Sequence, residues 1–217
     1  MTHKPLNIVV LISGGGSNMQ ALIQDSQITD APYQIVGVIS NRTDASGLQH
    51  AQRANIASKV IDHQHYDGRQ AFDQAMIEHI DSWQPDLIVL AGFMRILTDD
   101  FVNHYLGRMI NIHPALLPQY AGLNTHQRVI DAGEKYHGAS VHYVIPELDA
   151  GPVILQARLE LQAGESANDL AARVLKIEHQ IYSQSVRLIS QGHITVEENN
   201  VYLDGELLPA QGYQSSD

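Results

Sequence analysis

The amino-acid sequence predicts an α/β protein, a doubly wound and mostly parallel sheet with a mixed C-terminal half. Three observations carry that expectation. Apolar runs of strand length at Leu6–Ile12 (LNIVVLI), 34–39 (QIVGVI) and 86–90 (DLIVL) lack polar alternation, as strands buried on both faces do. Helical periodicity fills the intervals, and strand–helix–strand succession implies right-handed crossovers in a parallel sheet. Beyond about residue 105 the pattern changes: residues 138–144 (GASVHYV) and 153–161 (VILQARLEL) alternate, as half-exposed strands do.

Taken in order, Leu6–Ile12 is the first strand and residues 18–27 the first helix. Residues 34–39 form the second strand, 45–55 a helix and 58–61 a short strand. Phe72, Met76, Ile80 and Trp83 recur at helical spacing and predict a helix over 67–83, with Asp67 as its N-cap. Pro85 punctuates before the strand at 86–90. Residues 108–113 form another strand, followed by the two alternating ones. Leu170, Val174, Ile177 and Ile181 mark one face of a long helix over 166–190. The tail offers a strand at 194–196, then 201–203 and 206–208 joined by the turn dipeptide Asp204-Gly205. No repeat, low-complexity tract or linker intervenes. One domain over 1–217 is expected, with an N-terminal half of about 1–105 and a C-terminal half of about 106–217.

Composition narrows the function. With 44% hydrophobic and 17% charged residues the chain is globular in type. A net charge of -11 argues against a nucleic-acid sheath, which needs basic faces. It leaves room for an anionic small molecule, because a nest of backbone amides binds phosphate even on an acidic protein. Without cysteine there is no disulfide, no thiolate nucleophile and no cysteine zinc site. The N-terminal apolar run is too short to span a bilayer. The expectation is a soluble cytoplasmic protein, a monomer or homodimer, with small-molecule partners and neither nucleic acid nor membrane.

Two stretches carry chemistry. SGGGSN at 13–18 joins the first strand to the first helix, where glycines allow a sharp turn and close approach of a ligand. The N–H groups of Ser17 and Asn18 would lie at a helix N-terminus, a ready anion site. The spacing meets neither the dinucleotide fingerprint nor the P-loop pattern. Phosphate binding is favoured over a plain turn capped by Ser17 or Asn18, since the loop follows strand one of a parallel sheet. The second stretch is INIHPALLPQYAG at 110–122. Period two puts Asn111 and His113 on one face of a strand. Pro114 removes an N–H and ends the ladder. His113 therefore stands at the carboxyl end of a strand, where open α/β sheets bind ligands. Most of the 12 histidines are bystanders; His63 with His65, and His137 with His142, lack metal-ligand spacing.

NIHPALLPQYAG, with ISGGGSN before it and ELDAGPVILQ after it, resembles the folate-dependent formyltransferases. The likeness runs along nearly the whole chain, through LIVLAGFMRIL, HGASVHYV and LPAQGY, and residue order and length look like the purine-synthesis branch. It implies a Rossmann-like formyltransferase fold. It also implies transfer of a formyl group from 10-formyltetrahydrofolate, as cosubstrate, to the amine of glycinamide ribonucleotide, without a metal. The resemblance assigns Gly16, Ser17 and Asn18 to the ribonucleotide phosphate and Glu178 to the glycinamide substrate. It assigns Arg69, Met94, Arg95, Ile96, Leu97 and Asn111 to the folate, and Asn111, His113 and Asp149 to catalysis. Ala115, Gln119, Asn124, Pro146 and Ala150 depart from the family's usual residues. In the implied reaction the Asn111 amide and His113 donate to the oxygen on which charge grows. His113 moves protons near neutral pH, and Asp149 orients it.

Three other readings compete. A formyltetrahydrofolate hydrolase would carry an extra N-terminal regulatory domain, and a methionyl-tRNA formyltransferase a C-terminal RNA-binding domain. The early first strand and the acidic, short tail are expected of neither. A nucleotide-binding regulatory module without chemistry would leave Asn111 and His113 structural.

Overall fold

The computed structural model describes residues 4–214, so the first and last three residues of the expected 1–217 domain lie outside it. The chain divides between Ile110 and Asn111 into two compact units.

The first unit is a parallel α/β layer. Strands β1 (Leu6–Ile12), β2 (Tyr33–Ser40), β3 (Ser58–Val60) and β4 (Leu87–Leu90) lie in the order β4-β1-β2-β3, every pair parallel. Residues 8–12 and all of β4 are buried, as unbroken apolar runs require. Helices α1 (Ser17–Ser26), α2 (Leu48–Arg53), α3 (Arg69–Ser82) and α4 (Asp99–His104) connect or flank the strands, with a 3-10 turn at His63–His65. The expected cap at Asp67 is not used. Gly68 precedes α3 with φ +101° and gives no side-chain cap, so the helix starts two residues later. Likewise neither Ser17 nor Asn18 caps α1; the cap position is Gly16, with φ +68°. α4 was not expected, although Thr98 caps it through Phe101 N–H and Asp99 and Asp100 fill its first turn.

In the second unit β5 (Met109–His113), which starts just before the division, is followed by α5 (Thr125–Asp131), β6 (Tyr136–Tyr143), β7 (Val153–Glu160) and α6 (Ala167–Ser190). The sheet runs β5-β6-β7-β11, where β11 is Tyr213–Gln214; β6 and β7 are antiparallel and β7 and β11 parallel. A small antiparallel sheet of β8 (Ile194–Glu197), β9 (Asn200–Leu203) and β10 (Glu206–Leu207) contains the expected hairpin at Asp204-Gly205. Ser166 and Asp169 form a capping box that sets the start of α6. One expectation fails here. β6 is not half-exposed, since all of it after Tyr136 is buried, and β7 alternates in exposure only beyond its five buried residues 153–157; α6 packs on both strands. The polar positions of the alternating pattern of β6, Ser140 and His142, are interior groups with hydrogen-bond work to do, as is His137 just before them. No helix among the described residues is long and apolar enough to cross a membrane.

Candidate active site

In the first unit the loop between β1 and α1 lines a cavity of about 540 Å³. Ser13 to Asn18 form one wall; Asn41, Arg42, His63, Ala91, Gly92, Met94 and Arg95 complete it. The loop's shape depends on two glycines in contact. A Cβ on Gly16 would meet the Gly47 Cα at 3.1 Å, in a backbone region that side chains rarely adopt. One on Gly47 would meet the Gly14 carbonyl oxygen at 2.9 Å, the group that accepts Gly47 N–H at 3.0 Å. Gly14 and Gly15 face open space. The helix then presents the N–H groups at its first turn, with their partial positive charge.

Ser13 ties this loop to its neighbours. Its hydroxyl donates to Asn41 Oδ1 at 2.6 Å and accepts Met94 N–H at 2.7 Å. The far end of the same stretch is held by Asp73, whose Oδ2 accepts Thr98 N–H at 2.7 Å and the Thr98 hydroxyl at 2.8 Å. Burial pushes the Asp73 carboxyl up; the two Thr98 hydrogen bonds and the charges of Arg95 and Arg69 oppose it. Residues 94–97 are thus anchored at both ends while Met94 and Ile96 expose 69% and 60% of their surface. Two large apolar side chains held out on a pinned loop suit an apolar ligand ring. Arg69, Ile96 and Leu97 do not line the cavity, whereas Met94 and Arg95 do.

In the second unit Asn111, His113 and Asp149 come together, though 38 residues separate the first from the last. His113 Nδ1 lies 3.5 Å from Asp149 Oδ2, and its Nε2–H donates to the Tyr120 carbonyl at 3.0 Å. Both ring nitrogens therefore face oxygen acceptors. Asp149 Oδ2 also accepts Gly122 N–H at 2.9 Å. Tyr120 and Asp149, the two residues that meet the His113 ring nitrogens, both adopt left-handed backbone, with φ of +57° and +52°. Two such non-glycine residues against one histidine mark a strained and over-determined loop cluster.

A fourth residue belongs to the group. His142 on β6 donates from Nδ1 to the Tyr143 carbonyl at 2.9 Å. Burial pushes its imidazole down, against the Tyr143 hydrogen bond and the charge of Asp149, so the ring is neutral and Nε2 carries a lone pair. Asn111 Nδ2 approaches that lone pair at 3.2 Å. This contact settles which end of the amide is nitrogen and leaves its second N–H as a donor. His142 Nε2 is 3.8 Å from Asp149 Oδ1, so one histidine faces both partners of the trio.

Supporting contacts explain the motif residues. A Cβ on Gly151 would collide with the Tyr143 carbonyl, and Tyr143 N–H donates to Pro152 O at 3.0 Å. The Asp-x-Gly-Pro run is the route by which the loop returns close enough to β6 to present Asp149. After Pro114 the chain is caught by Ser140, whose hydroxyl donates to Ala115 O at 2.6 Å and accepts Leu117 N–H at 3.1 Å. Gln156 Nε2 holds Leu117 O at 2.8 Å and Ser140 Oγ at 2.9 Å. Glu178 is buried on α6, one turn before Tyr182. Burial, and the Glu178 carboxylate, push the Tyr182 phenol well above its ordinary range. His126 Nδ1 and His137 Nε2 stand 2.9 Å apart, and burial pushes His137 down to about 4.

The formyl transferase family model matches residues 6–186. The chain belongs to the formyl transferase family. It is 47% identical over 212 residues to the phosphoribosylglycinamide formyltransferase of Escherichia coli K12, covering 98% of this chain and 100% of that one. The enzyme of that name from Haemophilus influenzae is 42% identical over 206 residues, covering 95% of this chain and 97% of its own. Among solved structures, the phosphoribosylglycinamide formyltransferase of Coxiella burnetii superposes with a TM-score of 0.94 at 49% identity, over 97% of this chain and 99% of that one. In this family setting, His142, Ser140 and Gln156 are the residues that sequence reasoning missed. The one available signal was polar residues at alternate positions of β6 and β7, which also fits a solvent-facing strand.

Proposed function

We propose that this formyl transferase family member moves the formyl group of 10-formyltetrahydrofolate to the amine of glycinamide ribonucleotide. The products are formylglycinamide ribonucleotide and tetrahydrofolate, in de novo purine synthesis. The single observation that carries the chemistry is the meeting of Asn111, His113 and Asp149. Identity over the full length to phosphoribosylglycinamide formyltransferases supports the choice of substrates.

The steps follow from the donors present. The amine lone pair attacks the formyl carbon, a C–N bond forms, and the carbonyl π electrons move to oxygen. The free N–H of the Asn111 amide, oriented by His142, donates to that oxygen where charge develops, worth roughly 3 kcal/mol. The oxygen then returns its electron pair to re-form the carbonyl as the bond from the formyl carbon to the folate nitrogen breaks. His113, its Nε2 exchanging the Tyr120 carbonyl for the reacting atoms, carries the proton lost by the amine to that nitrogen. Asp149, held by Gly122 N–H, orients the ring through Nδ1. Gly16, Ser17 and Asn18 take the phosphate, Glu178 the glycinamide, and Arg69, Met94–Leu97 and Asn111 the folate. The chain works as one formyltransferase domain in the cytoplasm.

The test incubates the protein with 10-formyltetrahydrofolate, with and without glycinamide ribonucleotide, and follows tetrahydrofolate release. Release only in the presence of the ribonucleotide is expected. Release with water alone would make the chain a hydrolase, and no release would leave a nucleotide-binding module.

A further inference from the structure

We propose that His63 is a direct ligand of the substrate phosphate and sets how its binding depends on pH. The proposal rests on the reading of the glycine loop as the phosphate site. His63 sits in the 3-10 turn at His63–His65, far from the glycine loop in sequence, yet lines the same cavity. Its ring is fixed from two sides. Nδ1 is 3.1 Å from the Asn41 backbone carbonyl oxygen, which only accepts, and 3.4 Å from Asn41 Nδ2, which only donates; the shorter contact places a proton on Nδ1. The edge of Phe72 packs against the ring at 6.2 Å between centroids. Asn41 is in turn buried and held by the Ser13 hydroxyl. No hydrogen-bond partner for Nε2 occurs among the described residues.

The charged groups around the ring define its role. Asp62 Oδ1 lies 3.7 Å from Nδ1, on the anchored side, and its carboxylate also accepts Gln64 N–H at 3.0 Å. Arg42 lines the cavity, but its Nε and Nη2 donate to Asp44 at 2.8 and 2.7 Å, so that guanidinium is already matched by a carboxylate. Arg95 is the other cation on the wall. His63 is thus a cavity side chain with one ring nitrogen anchored and the other unengaged among the described residues. With Nδ1–H engaged by Asn41, Nε2 becomes a donor only when the ring holds two protons. A phosphate dianion favours that state and gains a charge-assisted hydrogen bond from it. A hydrogen bond from Nε2 to the phosphate therefore requires the doubly protonated ring.

The experiment measures competition by inorganic phosphate against glycinamide ribonucleotide at about pH 6 and about pH 8.5, on either side of the ordinary imidazole range. His63→Asn keeps an amide donor near the Nδ1 position and deletes Nε2. Its inhibition constant should rise about tenfold over wild type at the lower pH and less than about twofold at the higher. The ratio to wild type cancels the titration of phosphate itself. The KM for folate and the thermal midpoint should not change. His65→Asn, an exposed residue of the same turn that does not line the cavity, is the control and should behave as wild type. Equal inhibition of wild type and His63→Asn, or a ratio independent of pH, overturns the assignment of His63 and leaves the glycine loop standing. Failure of phosphate to compete in the wild type overturns the glycine-loop reading, and His63 with it.

Discussion

The cavity of the first unit and the cluster of the second are built from different materials. The first is a backbone site, with glycines in contact, N–H groups at a helix end, and a serine that ties loops together. The second is a side-chain site, with two histidines, an amide and a carboxylate, next to a chain segment held by the buried Ser140 hydroxyl and Gln156 amide. A backbone site tolerates most substitutions that keep its shape. A side-chain site fails with single atoms. Binding and chemistry should therefore separate under mutation.

The largest effect that would sharpen this contrast concerns the trio. His113→Ala, Asp149→Asn and Asn111→Ala should each lower kcat by about 100-fold to 1000-fold, with ribonucleotide KM nearly unchanged. Combined, the losses should be far from additive, because the residues act as a unit. Thermal midpoints on the same samples separate lost chemistry from lost fold. A stable His113→Ala variant with wild-type kcat would remove the mechanism.

Acid should next strike the side-chain unit. His137 is buried with its folded pKa pushed down to about 4, below the unfolded value of 6.5. As pH falls from 6.5 to about 4 the unfolded chain binds the extra proton first, so stability falls with it and then levels off. The loss is on the order of 3 kcal/mol at most. Denaturant midpoints of wild type against His137→Gln across that window should show the slope flatten in the variant. Parallel slopes would place the acid sensitivity elsewhere.

Gly151→Ala is the steric counterpart. A methyl against the Tyr143 carbonyl should cost about 1–3 kcal/mol and displace Asp149, lowering kcat without changing ribonucleotide KM. The smallest effect divides two adjacent glycines of the backbone site. Gly16→Ala should lower stability by about 1 kcal/mol and raise ribonucleotide KM more than folate KM. Gly15→Ala, facing open space, should leave the thermal midpoint alone. Equal behaviour of the two variants would break the claim that the Gly16–Gly47 contact shapes the loop.

Much of this was legible in the chain itself. β1 and β4 are unbroken apolar runs because both faces are covered, and the glycine loop falls where a parallel sheet binds anions. Strand period put Asn111 and His113 on one face and the missing N–H of Pro114 ended the strand there, while a catalytic role for them, as for Asp149, came from family resemblance. The remainder was hidden for definite reasons. α4 and α5 are too short for periodicity to register, and Asp67 lost its capping role to a glycine that turns the chain. β6 read as half-exposed because a buried hydroxyl or imidazole is the same letter as a solvated one. His142, Ser140 and Gln156 act across 16 to 39 residues of chain, a distance at which no local pattern speaks.

The Ser13 hydroxyl has one proton and uses it on Asn41, while its lone pair holds the Met94 amide. An amide held by a single side chain exchanges its hydrogen when that side chain lets go. Deuterium uptake at Met94 is therefore a clock for the glycine loop, read from a residue outside it. Any anion that quiets the loop should slow that clock, and Ser13→Ala should set it running at the rate of open chain.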